Sequence, residues 1–83
     1  MSASAWFDDE MRARLLEVFK RHGVAFSDVF AVAPVAADEV VFVVKAAVFP
    51  EAALTRELMD LLGRKVWVTS DGPVWADRIR PVS

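Results

Sequence analysis

Eighty-three residues allow one domain, and 55% of them are hydrophobic, with three Trp and six Phe. That is much for a chain able to bury only about 60–65% of its unfolded surface: either many alanines inflate a dense core, or, the reading we favour, an apolar face is covered by a second copy or a partner. The formal net charge of −2, from 12 acidic and 10 basic residues without a long block of one sign, gives the whole chain no electrostatic footprint for nucleic acid, and the lack of cysteine excludes a disulfide-held scaffold.

Residues 1–5 are small and polar, and a frayed N-terminus is expected there. The opening MSASAWFDDEMR lacks a basic segment followed by an apolar one, and no apolar run approaches the roughly 20 residues needed to span a bilayer. A soluble, cytoplasmic protein is expected. The bias toward Ala, Val, Arg and Asp suggests a bacterial or phage genome.

From Trp6 to His22, Phe7, Met11, Leu15 and Val18 recur at helical spacing, with Leu16 and Phe19 widening the stripe. This predicts an amphipathic helix with one buried face. Asp8, Asp9 and Glu10 open it and Lys20, Arg21 and His22 close it, the charge order that suits the helix dipole. Gly23 is a left-handed stop.

Val24 to Ala33 alternates as a strand, with Val24, Phe26, Phe30 and Val32 on one face and the small residues Ala25, Ser27, Val29, Ala31 and Ala33 on the other. Pro34 ends it, and the short link to Asp38 joins it as an antiparallel hairpin to the most apolar stretch of the chain. That stretch is Glu39 to Phe49, EVVFVVKAAVF, in which nine of eleven side chains are apolar and five are valine. Valine suits a pleated surface, so the run reads as a central strand buried on both faces.

Pro50 suits the first position of a helix, whose stripe is Leu54, Leu58, Leu61 and Leu62 and whose stop is Gly63. Lys65 to Thr69, KVWVT, is a third strand with Val66 and Val68 on one side and Trp67 on the other. After the turn Ser70–Pro73, the tail from Val74 to Val82 reads either as a short helix, slightly favoured, or as a fourth strand. The fold class is therefore α+β: order α-β-β-α-β plus a short C-terminal helix or strand, with two helices on one face of a three- to four-stranded mixed sheet. The second face of the central strand is left without an obvious cover, and that argues for a homodimer or a protein partner.

Little here has the form of catalytic chemistry. His22 is the single histidine and reads as a helix-terminal cation; neither a metal site nor a Ser/His/Asp or Cys/His arrangement can be built around it. Asp38 and Glu39 point to opposite faces of a strand and do not converge. Lys45, the one charge within the apolar run, is expected to lay its stem across the sheet or pair with Asp28. Arg64, Lys65, Arg78 and Arg80 form a small basic patch with Trp67 and Trp75 if the tail folds back beside the third strand. Arg and Trp are common interface anchors. No cofactor and no metal are expected.

The segments LLEVFKRHGV (15–24), Val29-Phe30, Asp38 before an apolar strand, LMDLLGRKVWVTSDG (58–72) and Asp77-Arg78-Ile79 together resemble the small nucleotidyltransferase domains of bacterial two-gene modules. Such enzymes carry a Gly-Ser motif where this chain has Phe30-Ala31-Val32-Ala33-Pro34. They also hold Mg²⁺ on two carboxylates one residue apart, where this chain has Asp38-Glu39-Val40. The resemblance implies a related fold with its catalytic apparatus lost. The expected function is a non-enzymatic protein-interaction module of a bacterium or phage (inhibitor, antitoxin, immunity or anti-defence type), with Trp67, Trp75, Arg78, Arg80 and Lys45 as partner-binding residues. The alternative is a nucleotide- or small-ligand-binding domain using Asp38 and Lys45.

Overall fold

The computed structural model describes residues 7–33, 38–46, 48–70 and 77–82. The first helix, α1 (Asp9–Arg21), starts where Asp8 accepts a hydrogen bond from the Met11 N–H at 2.7 Å, which satisfies one of the open donors of the first turn. It ends at His22 and Gly23, the latter at φ 77°. Strand β1 (Val29–Val32) and strand β2 (Glu39–Val44) form the expected antiparallel hairpin, with Phe30 opposite Val43. Helix α2 (Glu51–Leu62) follows Pro50 and stops at Gly63, which donates the last helical hydrogen bond to the Met59 carbonyl and whose left-handed φ of 65° then turns the chain out of the helix. The chain then returns as β3 (Lys65–Thr69), parallel to β2, and β4 (Ile79–Pro81) pairs antiparallel with β1. The resulting four-stranded mixed sheet has the order β3-β2-β1-β4.

Both helices lie on one face, as expected. Leu15, Val18 and Phe19 of α1 and Leu54 and Leu58 of α2 pack on Val29 and Ala31 of β1, Val40, Phe42 and Val44 of β2, and Val66 and Val68 of β3. Phe42 is the centre of this core: Phe19 meets it edge-on at 5.7 Å and Phe7 stacks on it at 6.3 Å. Each such side chain contributes about 1.5–3 kcal/mol by burial. The small face of β1 is thus the face that accepts the helices.

Three sequence expectations change. The first strand begins at Val29 and not Val24, because residues 26–28 form a 3₁₀ turn that places Phe26 against Phe19, ring centroids 6.2 Å apart. The central strand ends at Val44 and not Phe49: the Lys45 N–H still bonds to the Asp28 carbonyl at 2.9 Å, but β1 offers no strand residue beyond Val29, and Val48 is 89% exposed. The slight preference for a helical tail gives way to strand β4. Pro81 disfavours the helical region for Arg80, and a short edge strand tolerates proline. The expected frayed terminus 1–5 and most of the turn after Ser70 lie outside the described residues.

The second face of the sheet is more closed than the sequence suggests. Val43, flanked by Phe30 on β1 and Thr69 on β3, is fully buried, and Val32 is 5% exposed. Moving toward β3 the face opens, and Trp67 stands 51% exposed.

Candidate functional site

The two edges of the sheet are built differently. On β4, Arg78, Arg80 and Val82 turn their backbone groups toward β1: the Ala33 N–H bonds to the Arg78 carbonyl at 2.6 Å and the Val82 N–H to the Val29 carbonyl at 3.2 Å. Alternation in an antiparallel ladder then points the groups of Ile79 and Pro81 outward. Pro81 has no N–H to offer, and the Ile79 carbonyl is capped by Arg80 Nη1 at 2.8 Å. Arg80 also reaches the Asp77 carbonyl, and Arg78 Nε donates to the Ala33 carbonyl at 3.0 Å. Of the groups this edge turns outward, one donor is thus missing and one acceptor is capped, which makes it a poorer template for an added strand than β3.

On β3 the Lys65 N–H bonds to the Asp38 carbonyl at 3.1 Å. In a parallel ladder, Lys65, Trp67 and Thr69 then turn both backbone groups toward β2, and Val66 and Val68 turn theirs out. No strand of the described residues lies beyond them. Between this edge and α2 runs a groove of about 710 Å³, walled by Ala52, Thr55, Arg56 and Met59 on the helix and Val66 and Trp67 on the strand. Met59 is 40% exposed and Trp67 51%. Lys65 Nζ lies 5.0 Å above the Trp67 ring, a cation–π contact. A second hollow beside the strand is lined by Glu39 and Val41 of β2, by Glu51 at the start of α2, and by Trp67, Val68 and Thr69. An unpaired backbone edge, an open tryptophan and a flexible methionine, with charges at the rim, are what an extended peptide or a strand requires.

The structure does not bring the expected site residues together. Because β4 joins the sheet beside β1, Arg78 and Arg80 sit at the opposite edge from Trp67, about 14 Å away across three strand spacings. The single patch of Trp67 with these arginines therefore does not form, and Trp75 lies outside the described residues. Lys45 is exposed, with its ammonium 5.2 Å from the Phe30 ring centroid. Asp38 and Lys45 flank opposite ends of β2, about 20 Å apart along an extended chain, too far for one small ligand to bridge their side chains directly. Among the described residues there is no group of three or more metal-ligating side chains, and no helix is long and apolar enough to cross a membrane.

Sequence reasoning missed one cluster. His22, closing α1, brings its Nε2 within 2.6 Å of Glu57 on α2, and Arg21 pairs with the same carboxylate. The hydrogen bond from His22, followed by the Arg21 charge, outweighs the opposing effect of burial and holds the Glu57 carboxyl below its usual range. The partners are 35 residues apart, and the helical spacing of the chain contains no signal for the contact. It ties the helices together and stands away from the β3 edge.

No family model, curated protein or solved structure matches this chain.

Proposed function

We propose that this chain is a non-enzymatic protein-interaction module, of the inhibitor, antitoxin, immunity or anti-defence type, that binds in the cytoplasm of a bacterium or phage-infected cell through its β3 edge. The observation that carries this reading is Trp67: half exposed on the open edge strand, beside the apolar wall formed by Ala52 and Met59 of α2. Tryptophan at such a position is a strong interface anchor, and the outward backbone groups of Val66 and Val68 supply directional hydrogen bonds to an added strand. Arg56 and Lys65 take the rim role expected of Arg78 and Arg80, which are bonded to backbone carbonyls at the other edge.

The test is selection of extended peptides from a random display library against protein immobilised sparsely enough to keep single copies apart. The expected result is enrichment of peptides whose binding falls at least tenfold against Trp67→Ala. Failure to enrich, or binding that survives this substitution, would remove the reading.

A further inference from the structure

Resting on that reading, we propose that the natural occupant of the β3 edge is a second copy of the same chain, paired antiparallel about a twofold axis at Trp67. Two four-stranded sheets then become one continuous sheet with both helical layers on the same side.

Three features of the edge converge on this occupant. The first is register. The backbone groups of Val66 and Val68 face out, one on each side of Trp67, and an antiparallel copy centred on Trp67 sets Val66 against Val68 of the second copy and the reverse. Each such pair exchanges both N–H···O=C bonds, and this register pairs every residue of β3. Trp67 then meets its own copy at a non-hydrogen-bonded position, where Cα atoms approach to about 4.5 Å, and the two open indole rings cover each other.

The second is charge. Lys65 stands at the start of β3 beside Glu39, its partner in register on β2, and Glu51, at the start of α2, borders with Glu39 the hollow that reaches Val68 and Thr69 at the end of the strand. Antiparallel pairing sets Lys65 opposite Thr69 of the second copy, and so at the same end of the interface as that copy's Glu51. A parallel arrangement would turn the second copy over, putting its helices and its Trp67 on the opposite face of the joined sheet. Arg56, the remaining charge in the groove wall, is exposed, so its stem can turn to water.

The third is closure. A twofold pairing of one edge with itself closes at two copies, and the missing Pro81 N–H and the Ile79 carbonyl capped by Arg80 make the β4 edge a poor site for further growth.

The test is the solution mass of the full chain over a dilution series. The proposal expects a dimer that dissociates on dilution. Trp67→Glu, which sets two carboxylates face to face at the axis, makes it monomeric. Lys65→Glu and Glu51→Lys each weaken the dimer about tenfold, two symmetry-related contacts being lost together, and the double exchange restores it. The charge exchange keeps the test independent of how well Trp67→Glu folds. A monomer at every concentration overturns the proposal, as does a dimer indifferent to Trp67→Glu or a double exchange no tighter than its parents. A monomer that still selects peptides dependent on Trp67 would overturn the second copy as occupant and leave the interaction module standing.

Discussion

Lys65 and Trp67 share one face of the edge strand β3, two residues apart, and the lysine ammonium lies 5.0 Å over the indole ring. The contact lies along the strand, and the exposed part of the ring stands beside the outward backbone groups of Val66 and Val68, beyond which lies no strand of the described residues. Because the side chain is 51% exposed, Trp67→Ala should cost folding stability no more than about 1 kcal/mol, while association falls at least tenfold. Thermal unfolding and solution mass on the same variant separate the two effects.

Leu58 gives the opposite pattern. It is fully buried under α2, so Leu58→Ala should destabilise the fold by about 2–5 kcal/mol. Urea unfolding at a concentration where the protein is monomeric measures this directly.

Acid sensitivity should trace to the link between helices. The Glu57 carboxyl titrates below its usual value near 4.5 in the folded state, so the folded chain binds fewer protons there than the unfolded one. Its contribution is fully present above that usual value and is lost as pH falls through the lower folded value. Glu57→Gln should therefore narrow the stability difference between pH 6 and pH 3, read as the change in urea midpoint.

Gly63 closes α2 at φ 65°, and a Cβ placed there meets no atom within 4 Å. The cost of Gly63→Ala is thus conformational, about 1 kcal/mol, and should appear as a lowered melting temperature without loss of helix content by circular dichroism.

The β4 edge makes a further prediction. Pro81→Val restores an outward N–H, and Arg80→Ala uncaps the Ile79 carbonyl. The double variant should form species larger than a dimer, measured by light scattering, because both sheet edges are then available.

Much of this architecture is written in local pattern. The stripe Met11, Leu15, Val18 and Phe19 specifies α1 and its buried face. Gly63 between a leucine stripe and KVWVT specifies the α2–β3 junction, and the small residues Val29 and Ala31 mark where helices approach the sheet. What local pattern omits is set by distant contacts. Phe26 leaves the strand alternation because Phe19 of α1 offers it an aromatic partner. The central run stops pairing after Val44 because its hairpin partner is short, whatever the β-propensity of the residues that follow. The position of β4 beside β1 decides that Arg78 and Arg80 lie at one edge instead of flanking Trp67 at the other. Trp67 could be singled out from sequence as an anchor, but its setting beside Met59 and Lys65 depends on β3 being an edge strand, which the tail determines.

The most direct measurement is amide hydrogen exchange at Val66 and Val68, followed against protein concentration. Their N–H groups point away from β2, whereas those of β2 itself lie inside the sheet. Pairing through β3 predicts slow exchange at both positions at high concentration, accelerating on dilution in step with the loss of the dimer, with β2 amides protected throughout. Fast exchange at Val66 and Val68 in a concentrated, associated sample would contradict it, as would protection independent of concentration.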